Sequence, residues 1–91
     1  MVEDFRILES AYKHGITEQE IHYALSDKNP TRRCYELHDD AQGNPQDMYV
    51  SYTGTRPWPI EVAVSYRENE NIVFHASKAT PEYTELYEAE P

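Results

Sequence analysis

Cysteine is nearly absent from this chain. Cys34 is the only one, so no internal disulfide can form. Glycine is also scarce, with 3 residues, and none falls in a Gly-rich loop of the kind that cradles phosphates. The third scarcity is positive charge: 8 Lys and Arg face 17 Asp and Glu, for a net charge of −9. A field of that sign repels nucleic acid at long range, so contact with it needs a local basic patch. No apolar run approaches the roughly 20 residues of a membrane span, which predicts no membrane partner. The start, "MVEDFRILES", carries acids where a secretory signal has a basic segment and an apolar stretch. Together these absences predict a cytoplasmic protein in a reducing compartment. The length predicts one domain over residues 1–91. Its core is small, so a protein partner or a homo-oligomer would be a reasonable supplement to stability.

The residues that are present follow two periods. In "FRILESAYKH" (5–14), Phe5, Leu8 and Tyr12 share one stripe with Ile7 and Ala11 beside it, and Asp4 precedes as a cap, which predicts a helix. Gly15 suits the left-handed position just past a helix end. Lys13 and His14 would then lie in the last turn, where the helix dipole favours cations. Thr17 and Glu20 read as a capping box, with Ile16 as its staple, opening a second helix through Ile21, Ala24 and Leu25. That helix should stop by Pro30. The period then changes to two. Strands are expected over 32–38, 47–54, 60–67 and 71–77, separated by "DDAQGNPQ", "TRPWP" and "ENEN". In the third of these, Ile60, Val62, Val64 and Tyr66 should point inward and Glu61, Ala63, Ser65 and Arg67 outward. In the fourth, Ile72, Phe74 and Ala76 should share one face and Val73, His75 and Ser77 the other. Thr80-Pro81 starts a short closing helix. The expected fold is α+β: two N-terminal helices, a four-stranded antiparallel sheet, and a short C-terminal helix, with the helices on one face.

The segment "KHGITEQEIHYALSDKNP" resembles the hairpin that opens BrnT-type toxins, and "IVFHASKATPEYTELYE" resembles their last strand and closing helix. The order of elements is similar over nearly the whole chain. Related small bacterial toxin proteins share the "ILESAxKHG" start. This resemblance implies a RelE-like fold. It also implies the toxin component of a type II toxin–antitoxin pair: a metal-independent ribonuclease neutralised by a cognate antitoxin protein. Such chemistry holds the scissile phosphate with basic side chains and moves protons with a positioned acid or base. The arginine that the family carries in its last strand falls at Ser77 here, followed by Lys78, and the closing helix is acidic rather than basic.

The catalytic residues expected on this reading are Arg67, His75 and Lys78. His75 brings an imidazole that titrates near neutrality. Arg67 and Lys78 sit at the ends of neighbouring strands, where they can hold a phosphate. Lys13, His14, Arg32, Arg33, Tyr83 and Tyr87 are the expected contacts to RNA or to the partner. Arg32 and Arg33, with Lys28, form the only local run of base without acid. The tyrosines combine an apolar body with a polar tip that suits interfaces and base stacking. Each has a plainer structural explanation: helix capping for Lys13 and His14, a satisfied sheet residue for His75, surface ion pairing for Arg67, core rims for the tyrosines. The four histidines lack metal-ligand spacing, so no metal or other cofactor is expected. The competing function is a catalytically inactive relative of the toxin fold acting as a small protein-binding module, which the −9 charge favours.

Overall fold

The computed structural model describes residues 4–90. Its elements run β1 (Arg6–Ile7), a 3-10 turn (Glu9–Tyr12), α1 (Glu18–Leu25), β2 (Arg33–Leu37), β3 (Gln46–Ser51), β4 (Ile60–Tyr66), β5 (Asn71–Lys78) and α2 (Pro81–Ala89). The strands form one five-stranded sheet in the order β1-β5-β4-β3-β2. Four pair antiparallel in a meander, while β1 lies parallel to β5. No helix among the described residues is long and apolar enough to cross a membrane.

This arrangement corrects the expected fold in three respects. The class remains α+β, but the sheet is mixed and five-stranded, and only one helix precedes it. The expected first helix is instead a short strand followed by a 3-10 turn. Phe5 and Ile7 both pack on the core while Arg6 points out to Glu70, so this stretch follows a period of two. The backbone completes the ladder when Leu8 N–H donates to Val73 O at 2.9 Å. A ten-residue helix is marginal alone, and the open edge of β5 offers its backbone groups better partners. The two helices also lie on opposite faces, not on one. Ile21, Ala24 and Leu25 of α1 pack with Val62 and Val64, whereas Tyr83 and Tyr87 of α2 pack with Met48, Val50 and Ala63.

Cover on both faces changes the reading of β4. Glu61, Ala63 and Ser65, expected to point outward, are all buried. A bulge between Ala63 and Val64 changes β5 as well. Val73 pairs with Val64 and His75 with Ala63, leaving Phe74 as the extra residue. Val73 and Ala76 therefore share the α1 face, while Phe74 packs on the α2 face. The even alternation expected of β5 fails at that point.

α1 begins as the sequence predicts. Thr17 Oγ1 accepts from Glu20 N–H at 3.2 Å, and the Glu20 carboxylate accepts from Thr17 N–H at 2.9 Å. Gly15 precedes it with φ +81, in the left-handed region. A Cβ there would meet nothing within 4 Å, so substitution carries only conformational strain. Gly15→Ala is expected to lower the unfolding free energy by about 1 kcal/mol, measured by urea denaturation. An unchanged midpoint would show that the turn adapts.

Candidate functional site

The α2 face holds a buried carboxylate near the start of β4. Glu61 is 2% exposed, and two elements other than its own satisfy it. Its Oε2 lies 2.9 Å from His75 Nε2 on β5. Its Oε1 accepts the Thr80 backbone N–H at 2.7 Å. Thr80 occupies the N-cap of α2, but its hydroxyl makes no capping bond. The carboxylate of Glu61 thus replaces the side-chain cap expected from Thr80. Burial pushes the Glu61 carboxyl up, and the hydrogen bonds from His75 and Thr80 outweigh it, leaving it below the usual carboxylate value.

Ser77 completes a suggestive set, with its Oγ 3.2 Å from His75 Nε2. The geometry is nevertheless wrong for a hydroxyl nucleophile. A relay needs one imidazole nitrogen on the hydroxyl and the other on the carboxylate. Here Ser77 and Glu61 meet the same nitrogen. That nitrogen cannot take a proton from the serine while it donates to the carboxylate. Ser77 Oγ donates instead to Lys78 O at 2.9 Å. The cluster joins β4, β5 and α2 as a polar staple. At its side the His14 ring stands edge-on to His75, with centroids 5.7 Å apart.

The other expected residues are dispersed. Arg67 lies in the β4–β5 turn, where its N–H donates to Glu70 O at 2.9 Å. His75 pairs with Ala63, so at about 3.3 Å per residue Arg67 sits roughly 13 Å farther along the strand. Lys78 pairs with Ile60, a core residue of the α1 face, and its Nζ lies 4.8 Å from the centre of the Trp58 ring. His75 and Lys78 therefore occupy opposite faces of the sheet, because His75 shares the face of Ala63. Lys13 is exposed, and His14 lies beside His75.

The basic run at 32–33 is occupied by local partners. Arg32 donates from Nη1 to Leu25 O at 2.6 Å, which satisfies a carbonyl at the end of α1, and from Nη2 to Asp27 at 2.9 Å. The Arg33 Nε is 3.1 Å from Glu90 Oε2, and its guanidinium lies 5.6 Å from the Tyr87 ring centre. Tyr87 donates its hydroxyl to Thr31 O at 2.6 Å, and Tyr83 stacks at a tilt on Tyr35. These two tyrosines fasten α2 to the sheet. Among the described residues, Tyr12, Tyr23, Tyr52 and Leu86 are the large apolar ones left exposed. The turn after β2 is held by Asp40, whose carboxylate accepts from the Gln42 and Asn44 amides at 2.9 Å each.

A second buried carboxylate lies on the other side of the molecule. Glu20 is 5% exposed, and Arg56 grips it through Nε at 2.8 Å and Nη2 at 3.0 Å. Thr55 Oγ1 donates to it at 2.6 Å. Arg56 Nη2 also donates to Gly15 O at 2.8 Å, closing the turn before α1. Arg56 outweighs the opposing effect of burial, and the threonine hydrogen bonds add to it, holding the Glu20 carboxyl down at about 2. The sequence showed Glu20 only as a capping residue. Arg56, between a threonine and a proline in an expected turn, carried no signal of its role.

This ion pair borders a groove of about 720 Å³ between α1 and the β3–β4 connection. Tyr23, Thr53, Thr55, Pro57 and Trp58 line it along with the pair. No group of three or more His, Cys, Asp or Glu side chains able to hold a metal ion occurs among the described residues. Compared with family models, curated proteins and solved structures, the chain finds no match.

Proposed function

We propose that this chain is a small acidic protein-binding module rather than a nuclease. The observation that carries this reading is the dispersal of Arg67, His75 and Lys78 between a turn and two opposite sheet faces. A phosphate needs cations that converge on it. In this chain Arg6, Arg32, Arg33 and Arg56 each pair with a carboxylate. The net charge of −9 adds a long-range field against RNA. The exposed apolar side chains of Tyr12, Tyr23, Tyr52 and Leu86 are suited to contact with another polypeptide.

Crosslinking in the source cells followed by reconstitution tests the reading. A partner identified by its crosslinked residues should bind the purified chain saturably at 1:1 by calorimetry. Crosslinks no more frequent than those of an unrelated acidic protein of equal size would sink it.

One observation favours the second reading, a ribonuclease toxin neutralised by an antitoxin. His14, from the "KHG" segment, stands beside His75 with ring centroids 5.7 Å apart. Two imidazoles at that spacing can serve as acid and base for RNA cleavage. On this reading the pair would act without Arg67 or Lys78.

A further inference from the structure

We infer that the groove between α1 and the β3–β4 connection binds the C-terminal residue of a partner polypeptide, with Arg56 receiving its carboxylate. The inference rests on the binding-module reading and deepens it.

The groove has the size of a ligand site. Its volume of about 720 Å³ lies within the roughly 300–1,000 Å³ typical of such pockets. Its apolar and aromatic lining comes from Tyr23, Pro57 and Trp58, and its polar lining from Thr17, Gln19, Thr53 and Thr55 beside the ion pair. Tyr23 is 41% exposed, so its ring is available without unfolding anything.

Arg56 brings the one cationic side chain of the lining, and part of it is uncommitted. Arg56 spends Nε and Nη2 on Glu20 and Gly15, while Nη1 makes no bond among the described residues. Its side chain is 28% exposed. The Trp58 indole N–H is also unpaired, but it is buried and not open to the groove, so Trp58 contributes its ring alone. A cationic donor with no spare acceptor charge beside it selects a carboxylate over an amine. Glu20 cannot compete for a cationic ligand, because both of its oxygens are filled.

Arg56 is also held in advance. Glu20 and Gly15 O fix Nε and Nη2 of the guanidinium, so the free Nη1 needs little ordering when a carboxylate oxygen arrives. The pair is locally neutral, and at physiological salt the distant acids are screened beyond about 8 Å. A carboxylate is therefore not driven away by the global charge. The apolar walls then supply a place for the side chain of the terminal residue, the arrangement used by proteins that capture free C-termini.

Trp58 is the only tryptophan, so its fluorescence reports the groove directly. The test titrates the purified chain with a pentapeptide ending in phenylalanine, the same peptide amidated at its C-terminus, and N-acetyl-phenylalanine. Saturable quenching by the free acid, at least ten-fold tighter than by the amide and tighter than by N-acetyl-phenylalanine, is expected. Tyr23→Ala should weaken it about ten-fold, and Arg56→Lys, which keeps the charge beside Glu20, should abolish the acid-over-amide preference. Circular dichroism checks that both variants fold. Equal binding of acid and amide overturns the inference. Equal binding of the peptide and N-acetyl-phenylalanine overturns the C-terminal source in favour of a small free acid. If the crosslinked partner binds Arg56→Lys and Tyr23→Ala as well as the parent, the groove falls while the binding-module reading stands. If no partner binds the parent at all, the binding-module reading itself falls.

Discussion

Arg56→Ala is expected to lower the unfolding free energy by about 3 kcal/mol at neutral pH, a large effect for a residue in a surface connection. The reason is the partner it leaves behind. Glu20 is 5% exposed, and its two oxygens are organised around the guanidinium. Removing one member of a buried pair strands the other as an uncompensated charge, which costs about 3–5 kcal/mol. Loss of the bond to Gly15 O would also loosen the turn before α1. Replacing both members, as Glu20→Gln with Arg56→Ala, should recover part of the loss because no charge remains stranded.

The same pair predicts an acid limb. In the fold the Glu20 carboxyl is held at about 2, against an ordinary value of 4.5. Its folded value is depressed, so the contribution is complete above about 4.5 and declines as pH falls through about 2. At about 1.4 kcal/mol per pH unit the total is roughly 3 kcal/mol, in line with the cost expected for Arg56→Ala. Glu20→Gln should flatten this part of the stability profile. Denaturant unfolding of both variants by circular dichroism between pH 2 and pH 7 is the measurement. A loss under about 0.5 kcal/mol for Arg56→Ala would mean that the carboxylate finds water instead.

The second large effect is expected at Glu61. Glu61→Ala should cost about 3 kcal/mol and release α2 from the sheet. One carboxylate accepts from His75 on β5 and from the Thr80 amide that begins α2. Alanine removes the charged acceptor that both groups share, and hydrogen bonds to a charged group contribute about 1.5–3 kcal/mol each. None of the residues of α2 is fully buried, so this carboxylate adds to the hold that Tyr83 and Tyr87 have on the sheet. Hydrogen exchange should therefore accelerate across Pro81–Ala89 more than across α1. Glu61→Gln keeps an acceptor for Thr80 and should cost about 1 kcal/mol. Because the carboxyl sits below its ordinary value, its contribution is present above that value and fades as pH falls toward the folded one. Uniform acceleration over both helices would show that Glu61 stabilises the whole fold and does not act as an anchor for α2.

Local chemistry was legible in the sequence where one short segment decides the structure. The Thr17–Glu20 capping box, the left-handed Gly15 and the proline at the start of α2 all rest on neighbours in the chain. The positions of the four meander strands also follow from their period of two, although the residues that β4 and β5 bury do not. What escaped depends on distant partners. β1 exists because Arg6 and Ile7 meet Ile72 and Val73, and a helical stripe in the same residues offers an equally good local pattern. The burial of Glu61 depends on α2 returning over the far face of the sheet. The small residues Ala63 and Ser65 beside it were the one available sign that something packs there. The bulge at Phe74, which puts His75 on the α2 face, has no mark in the alternation of β5. Among the expected site residues, His14 and His75 come together, whereas Arg67 and Lys78 do not join them. Arg56 could not be singled out, because its role depends on a carboxylate from α1.

The most direct test of the binding-module reading is incubation of the purified chain with total cellular RNA at neutral pH, beside His14→Ala and His75→Ala variants whose folding has been checked. The account predicts intact RNA with all three proteins, even at micromolar concentration and low salt. Cleavage by the parent chain that both variants lose would contradict it and establish the paired histidines as a ribonuclease site.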